Sequence, residues 1–132
     1  MGKINPELAA KHWLRMSEED MVTAKAMLKA HRYTWCAFVC QQAIEKYLKA
    51  GYVRKVKKIP PYIHKLERLC QVLKIEPSGQ ILNEIIKIDK YYIAARYPSY
   101  KKSINISTYR TAASIFKNTA EIVKWLSKEL KL

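Results

Sequence analysis

The chain contains few of the residues that interrupt regular secondary structure. Only three glycines occur among 132 residues, and the five prolines stand at positions 6, 60, 61, 77 and 98. No alternation of apolar and polar residues continues for the length of a β-strand. Because glycine and proline punctuate helices, their scarcity predicts a few long helices separated by short breaks.

Long apolar runs are also absent. No uninterrupted run approaches the roughly 18 residues that cross a bilayer, and the first residues lack the apolar segment of a signal peptide. We therefore expect no membrane partner and a cytoplasmic location. Apolar residues still make up 49% of the chain, which argues against disorder. The length predicts one domain spanning residues 1–132.

Residues that bind metals or act as nucleophiles are sparse. The three cysteines are odd in number, and Cys36 and Cys40 share one helical face without a nearby histidine. Small buried core residues are a better interpretation than a zinc site, which needs four convergent ligands. Carboxylates are few and scattered, and no phosphate-binding glycine loop occurs. We predict no metal, no cofactor and no independent enzyme.

Negative charge is scarce relative to positive charge. The chain has 25 basic against 11 acidic residues, a formal net charge of +14. Such an excess favours an anionic partner such as RNA, DNA, a nucleotide or an acidic protein. The alternative is that the charge only keeps a small protein in solution.

Helix signals divide the chain into five segments. Asn5 predicts the start of the first helix, Thr34 caps the second, a short helix covers about 64–73, the fourth covers roughly 79–96, and Ser107 caps the last. We predict an all-α, up-and-down four-helix bundle with an additional short helix in a crossover connection. In the first helix, the residues placed in the core are Leu8, Trp13, Met16, Met21, Ala24 and Leu28.

The second helix carries polar side chains within a wide apolar surface. Gln41, Gln42 and Glu45 lie among residues whose spacing predicts a central position in the bundle. An unpaired buried amide or carboxylate costs about 1 to 3 kcal/mol. We therefore predict a fixed polar network of these three residues, with Asp89 as a further member.

The same helix carries a family resemblance. Its residues Phe38, Gln41, Gln42, Ala43, Glu45, Lys46, Leu48, Lys49 and Ala50 resemble the second helix of HEPN domains. Matches elsewhere follow in the family's order: Trp13 with Glu19, Asp20, Met21 and Ala24; then Ile63 to Leu66; then Tyr92, Ile93 and Arg96 to Pro98. The resemblance covers nearly the whole chain.

The resemblance implies a companion protein. Domains of this kind are commonly partners of a minimal nucleotidyltransferase encoded by a neighbouring gene, in toxin-antitoxin-like pairs, and they are often dimeric. It implies a homodimer that binds RNA or a nucleotide through a basic surface. Two loops are candidates for that surface, and both are inferred from the residues of the sequence and not from the resemblance.

The first candidate surface follows the fourth helix. Arg96, Lys101 and Lys102 can bind phosphate, and the interleaved Tyr97 and Tyr100 can stack on bases. The alternative is that Arg96 pairs with a core carboxylate, Glu45 or Asp89.

The second candidate surface follows the second helix. Arg54, Lys57 and Lys58 belong to a basic run that could neutralise several phosphates and make binding salt-dependent. The alternative is a solvated loop without a ligand.

His64 is the histidine in a family-like position. An imidazole can transfer a proton near neutral pH, or it can serve only as a structural hydrogen-bonding group. Many HEPN proteins resemble metal-independent ribonucleases with an Arg, four to six residues and a His, yet Lys101, Lys102 and Ser103 stand where that His should follow Arg96. The alternative functions are therefore a ribonuclease toxin that combines Arg96 with His64 through the fold, and a scaffold that grips an acidic protein.

Overall fold

The computed structural model describes residues 4–94 and 106–132, and all regular elements within these ranges are α-helices. They are α1 (Pro6–Lys29), α2 (Tyr33–Val56), α3 (Leu66–Leu73), α4 (Gly79–Asp89), α5 (Tyr91–Ala94) and α6 (Tyr109–Leu130). The all-α prediction is confirmed.

The first two helices form an antiparallel hairpin. The side chain of Asn5 accepts a hydrogen bond from the backbone N–H of Leu8 at 3.1 Å, and proline occupies the first helical position. Both features favour helix initiation, so α1 begins where the sequence predicts. Further along, the Ser17 hydroxyl donates to the Ala43 carbonyl at 2.7 Å and joins α1 to α2.

Helix α2 is the centre of the bundle and contacts each of the other helices. Near its start, Thr34 Oγ1 accepts from the Ile106 N–H at 3.2 Å, and near its end Arg54 donates to the Lys131 carbonyl at 3.2 Å. Helices α2 and α6 therefore run in the same direction. Helices α1 and α4 run in the opposite direction, which gives the up-and-down order, and α3 lies in the crossover between α2 and α4.

Two predicted helix boundaries are wrong, one in this crossover and one at the end of α4. Helix α3 begins at Leu66, not near His64, because the Leu66 N–H donates to both carboxylate oxygens of Asp89, at 3.1 and 3.0 Å. The fourth helix does not continue without a break, since α4 ends at Asp89 and the short α5 starts at Tyr91. At the start of α3, a tertiary contact decides the boundary.

Three local predictions also need correction. Helix α2 starts at Tyr33, so Thr34 lies inside it and hydrogen-bonds to Ile106 instead of capping the helix. Helix α6 is capped by Thr108, whose hydroxyl accepts from the Thr111 N–H at 3.2 Å, and not by Ser107. Leu8 is 65% exposed, because the first turn of α1 lies at the edge of the bundle.

The three cysteines are free and buried. Burial raises the pKa of the Cys70 thiol to about 12, which keeps it protonated at neutral pH. Within residues 4–94 and 106–132, no cluster of histidine, cysteine and carboxylate side chains could hold a metal ion. Over the same residues, the helices are too short or too polar to cross a membrane.

Candidate nucleotide site

The polar side chains of α2 belong to one hydrogen-bonded cluster beneath the crossover. The amide nitrogen of Gln41 lies 2.8 Å from the His64 carbonyl oxygen, 3.3 Å from Asp89 Oδ1 and 3.5 Å from Glu45 Oε1. Gln42 donates to the Gln41 side-chain oxygen at 2.7 Å. The cluster links α2, the crossover and α4, and it lies at the middle of the bundle.

This cluster fixes the backbone on both sides of His64. The Gln41 amide donates to the carbonyl of His64, and the Asp89 carboxylate accepts from the N–H of Leu66. Because buried backbone groups need partners, these contacts hold the crossover in one conformation. They place the His64 side chain at the surface of the cluster.

Glu45 orients the imidazole ring. Its Oε2 lies 3.1 Å from His64 Nδ1 and 2.9 Å from Lys49 Nζ. The side chains of Glu45 and Lys49 are each 7% exposed, and that of His64 is 29% exposed. A carboxylate oxygen accepts hydrogen bonds, so the Nδ1 hydrogen of a neutral imidazole would face Glu45 and its Nε2 lone pair would face away from it.

The Nε2 atom is the chemically available end of this ring. Among the residues that the structure describes, no hydrogen bond to Nε2 is present. A buried carboxylate behind an imidazole whose other nitrogen is open is an arrangement suited to hydrogen bonding or proton transfer.

Asp89 has a different environment from Glu45. Burial raises the pKa of the Asp89 carboxyl, and hydrogen bonds from Leu66 and Gln41 partly offset this effect. The carboxyl serves as a cap for α3 supplied by the neighbouring helix. Its role in the cluster is therefore structural.

Aromatic rings form a continuous run beside this cluster. His64 stacks on Tyr92 with ring centroids 4.6 Å apart and planes 17° apart. Tyr62 contacts His64 edge-to-face at 4.8 Å, and Phe38 contacts Tyr92 at 6.2 Å and Trp35 at 5.5 Å. Tyr62 and Trp35, at the ends of the run, are 91% and 46% exposed.

A cleft of about 470 Å³ opens between the crossover and the α4–α5 corner. Stacked His64 and Tyr92 contribute to its lining, together with Ile86 and Ile93. Two exposed cations, Lys65 and Lys90, and the carboxyl groups of Glu67 and Asp89 complete it. Ligand pockets in proteins commonly measure about 300 to 1,000 Å³.

The basic run does not wholly follow α2 as predicted, because that helix continues to Val56 and includes Arg54 in its last turn. Arg54 donates to the last turn of α6 through the Lys131 carbonyl and lies 3.6 Å from Glu7. Cations at helix C-termini satisfy free carbonyls and oppose the helix dipole, so Arg54 has a structural task there. Lys57 and Lys58 are exposed, and their side chains make no hydrogen bond or ion pair within the described residues.

The five predicted binding residues after α5, namely Arg96, Tyr97, Tyr100, Lys101 and Lys102, lie outside the described residues. Their predicted role stays a prediction, and so does the meeting of Arg96 with His64.

Several residues of the polar cluster and of the cleft were missing from the site predicted from sequence. Lys49 could have been found, because Glu45 and Lys49 are four residues apart on a helix and such pairs meet on one face. The stacking of Tyr92 on His64 had no sequence signal. It depends on a corner between α4 and α5 that positions Tyr92 over the crossover.

Comparisons with solved structures agree with this architecture. The protein TT1696 from Thermus thermophilus is similar at 22% sequence identity, with a TM-score of 0.77, over 90% of this chain and 96% of that protein. ST0689, an archaeal HEPN homologue, is similar at 23% identity, with a TM-score of 0.72, over 92% of this chain and 97% of that one. At these identities the similarity establishes the fold alone.

No curated protein matches the chain. The family model described as HEPN domain matches residues 10–130, which include all six helical segments apart from the first turn of α1. The resemblance seen in α2 and the shared fold agree with that match. The chain belongs to the HEPN domain family.

Proposed function

We propose that the protein binds RNA or a nucleotide in the cleft beside His64. The observation that carries the proposal is the stack of His64 on Tyr92, at 4.6 Å, next to two exposed lysines. Aromatic faces stack on bases and lysines neutralise phosphate, and both are needed by a site that binds nucleic acid without strict sequence preference.

The cleft has the chemical character that such a ligand requires. Ile86 and Ile93 give it apolar surface, and Lys65 and Lys90 supply two exposed cations, which stand beside the carboxyl groups of Glu67 and Asp89. His64 Nε2 can exchange a hydrogen bond with a base or a ribose hydroxyl. Arg96, predicted from sequence to bind phosphate, follows α5 by two residues along the chain.

The test is fluorescence anisotropy with labelled single-stranded RNA, together with nucleotide competition. The double variant Lys65→Ser/Lys90→Ser should bind at least about tenfold more weakly, because two phosphate contacts are lost. The matched control Lys25→Ser/Lys29→Ser removes the same charge from exposed positions of α1. Equal losses in both variants, or no binding by the wild-type protein, would contradict the proposal.

A second candidate function, metal-independent RNA cleavage, is favoured by the Glu45–His64 pair. The imidazole Nε2 could accept the ribose 2′-hydroxyl proton as that oxygen attacks phosphorus, while a second group protonates the departing 5′-oxygen. A guanidinium such as Arg96 would stabilise the charged phosphate. The pair is geometrically suited to the first of these steps only.

Cleavage of end-labelled RNA in the presence of a chelator distinguishes binding from catalysis. Cleavage by the wild-type protein that is lost in both His64→Ala and Arg96→Ala would support the ribonuclease. Intact RNA in all samples, with binding retained, would leave a binding role.

We further propose that the protein acts as a homodimer and as the partner of a minimal nucleotidyltransferase in a toxin-antitoxin-like system. Family membership supports both, and HEPN domains commonly dimerise. The exposed side chain of Trp35, which does not line the cleft, offers apolar surface for association. Sedimentation of the pure protein tests the homodimer, and co-purification with the neighbouring gene product tests the partnership. A monomer that does not bind that product would contradict both points.

A further inference from the structure

The crossover backbone from Lys57 to Lys65 presents an unusual exposed surface. Lys57, Lys58 and Lys65 are exposed, and between them Tyr62 is 91% and Ile59 is 74% exposed. No acidic residue occurs in this stretch. Large apolar side chains displayed in this way, with charge of one sign around them, mark an interaction surface.

The two ends of this surface lie at different levels of the bundle. Lys57 directly follows the last residue of α2, whereas His64 contacts Glu45 in the middle of that helix. At 1.5 Å per residue, the distance along α2 between Glu45 and Lys57 is about 18 Å. The crossover therefore connects the cleft to the end of the bundle where α2 terminates.

The crossover is also held in a fixed conformation. Pro60 and Pro61 restrict its backbone, and the Ile63 N–H donates to the Pro61 carbonyl at 2.8 Å. At its far end, Gln41 binds the His64 carbonyl. A surface fixed before binding loses little conformational entropy when a ligand arrives.

We propose that the crossover is a binding track for single-stranded RNA that starts in the cleft and ends at Lys57 and Lys58. The inference rests on the proposed function and deepens it, because it selects a polynucleotide over a mononucleotide. An 18 Å track accommodates about five stacked nucleotides at a rise of about 3.4 Å each.

Each exposed residue has a role in this arrangement. The Tyr62 ring can stack on an unpaired base. A base inside a duplex cannot reach the ring, because it is stacked between its neighbours. Lys57, Lys58 and Lys65 are placed to neutralise successive phosphates. Ile59 provides apolar contact for a sugar or a base edge.

The first experiment measures how affinity depends on RNA length. Labelled oligonucleotides of about one, three, six and nine residues are titrated with the full-length protein at fixed salt. Affinity should rise up to the six-nucleotide RNA, which is just long enough to fill a track of about five nucleotides, and then level off. A duplex of the longest sequence should bind more weakly than its single strand.

Two variants locate the contact. Tyr62→Ala should weaken binding of the six-nucleotide RNA by about tenfold, since stacking is lost, and Tyr62→Phe should retain it. Lys57→Asn/Lys58→Ser should weaken binding of the same RNA without changing the affinity for a mononucleotide. Asparagine is chosen at position 57 because φ there is 63°, a conformation that asparagine tolerates. Lys25→Ser/Lys29→Ser is the control of equal charge.

The outcomes separate this inference from the proposed function. Affinity that does not depend on length, together with a loss in Lys65→Ser/Lys90→Ser, would overturn the track and leave the cleft as a nucleotide site. No effect of the Tyr62 and Lys57/Lys58 variants would also overturn it and would assign the exposed crossover to another partner, such as an acidic protein. The absence of any RNA or nucleotide binding would overturn both proposals.

Discussion

Glu45 is the residue on which the geometry of the cleft most depends. It contacts Lys49 at 2.9 Å and His64 at 3.1 Å while almost completely buried. Removing one partner of a buried ion pair leaves the other charge without compensation, which is costlier than replacing both. The side chain thus links the stability of α2 to the orientation of the imidazole.

Glu45→Gln should lower the free energy of unfolding by about 3 kcal/mol, because the buried Lys49 ammonium loses its counter-charge. Urea denaturation measures this loss, and Glu19→Gln, at an exposed position of α1, should change stability by less than about 0.5 kcal/mol. Adding Lys49→Met to Glu45→Gln should restore part of the stability. A loss no larger than the control's would contradict this account of the pair.

Asp89 gives a prediction about pH. Because burial raises its pKa, the folded chain binds this proton more tightly than the unfolded chain does. Ionisation therefore lowers stability as pH rises from the ordinary value, about 3.9, through the raised one. The free energy of unfolding of the wild-type protein minus that of Asp89→Asn should fall across this window and stay constant above it. Urea titrations between about pH 3 and pH 8 measure it, and a difference that rises with pH would be inconsistent with the burial.

For individual residues, the sequence indicates which polar side chains lie at the centre of the bundle, but it does not indicate their hydrogen-bond partners. The apolar surroundings of Gln41 and Glu45 indicate that both need hydrogen bonds. The identity of those partners depends on a crossover that returns along α2 and places His64 beside them. Sequence spacing carries no information on a contact between residues 19 positions apart, as Glu45 and His64 are.

Among the helices, the C-terminal ends show a common feature. Helices α2, α3 and α6 are each followed by a lysine with positive φ, namely Lys57, Lys74 and Lys131 at 63°, 59° and 54°. Lysine opposes the helix dipole there, but its Cβ makes the left-handed conformation unfavourable. Lys55 also donates to the Leu73 carbonyl at 2.8 Å. A part of the basic excess therefore serves helix termination.

Lys74→Gly should raise the free energy of unfolding by about 1 kcal/mol, because glycine adopts a positive φ without strain. Gly79→Ala should lower the free energy of unfolding, because Gly79 has a φ of 55° and a Cβ strains this conformation. A Cβ there would meet no atom within 4 Å, so backbone strain is the only effect expected. Thermal or urea denaturation of both variants measures the pair. Changes of the same sign would show that contacts other than backbone strain dominate.

The helix boundaries show where sequence signals are sufficient. Asn5 and Pro6 are local signals, and α1 begins as they predict. The start of α3 could not be read in the same way, because its cap is Asp89 from another helix. Local rules identify caps only when the capping group lies within a few residues.

For the whole molecule, the formal charge of +14 is the dominant property. It favours association with polyanions, and the arrangement of the basic side chains determines how many phosphates are contacted. Lys57, Lys58, Lys65 and Lys90 are the exposed cations assigned to RNA. The remainder of the excess is distributed over the bundle and over helix ends.

RNA binding should therefore weaken with salt in proportion to four phosphate contacts. The slope of the logarithm of the association constant against the logarithm of salt concentration should be about −3, since each contact contributes about −0.7 for a single strand. Anisotropy titrations at four or five salt concentrations measure this slope. A slope shallower than about −1 would be incompatible with the assigned cations.

Family and helical architecture follow from the sequence because both depend on local patterns in α1 and α2. The cleft does not, since it requires the crossover, α4 and α5 to meet. Tyr62 illustrates the difference: its sequence context gives no indication that its ring lies 4.8 Å from His64 and is almost wholly exposed.

The most direct test of the central claim is an NMR titration of the three histidine side chains with single-stranded RNA. The chain has three histidines, and His12 and His31 are exposed on or beside α1, away from the cleft. A ligand in the cleft should shift the imidazole resonances of His64 in a saturable manner and leave those of the other two unchanged. RNA that binds while the His64 resonances stay constant would show that the cleft is not the site.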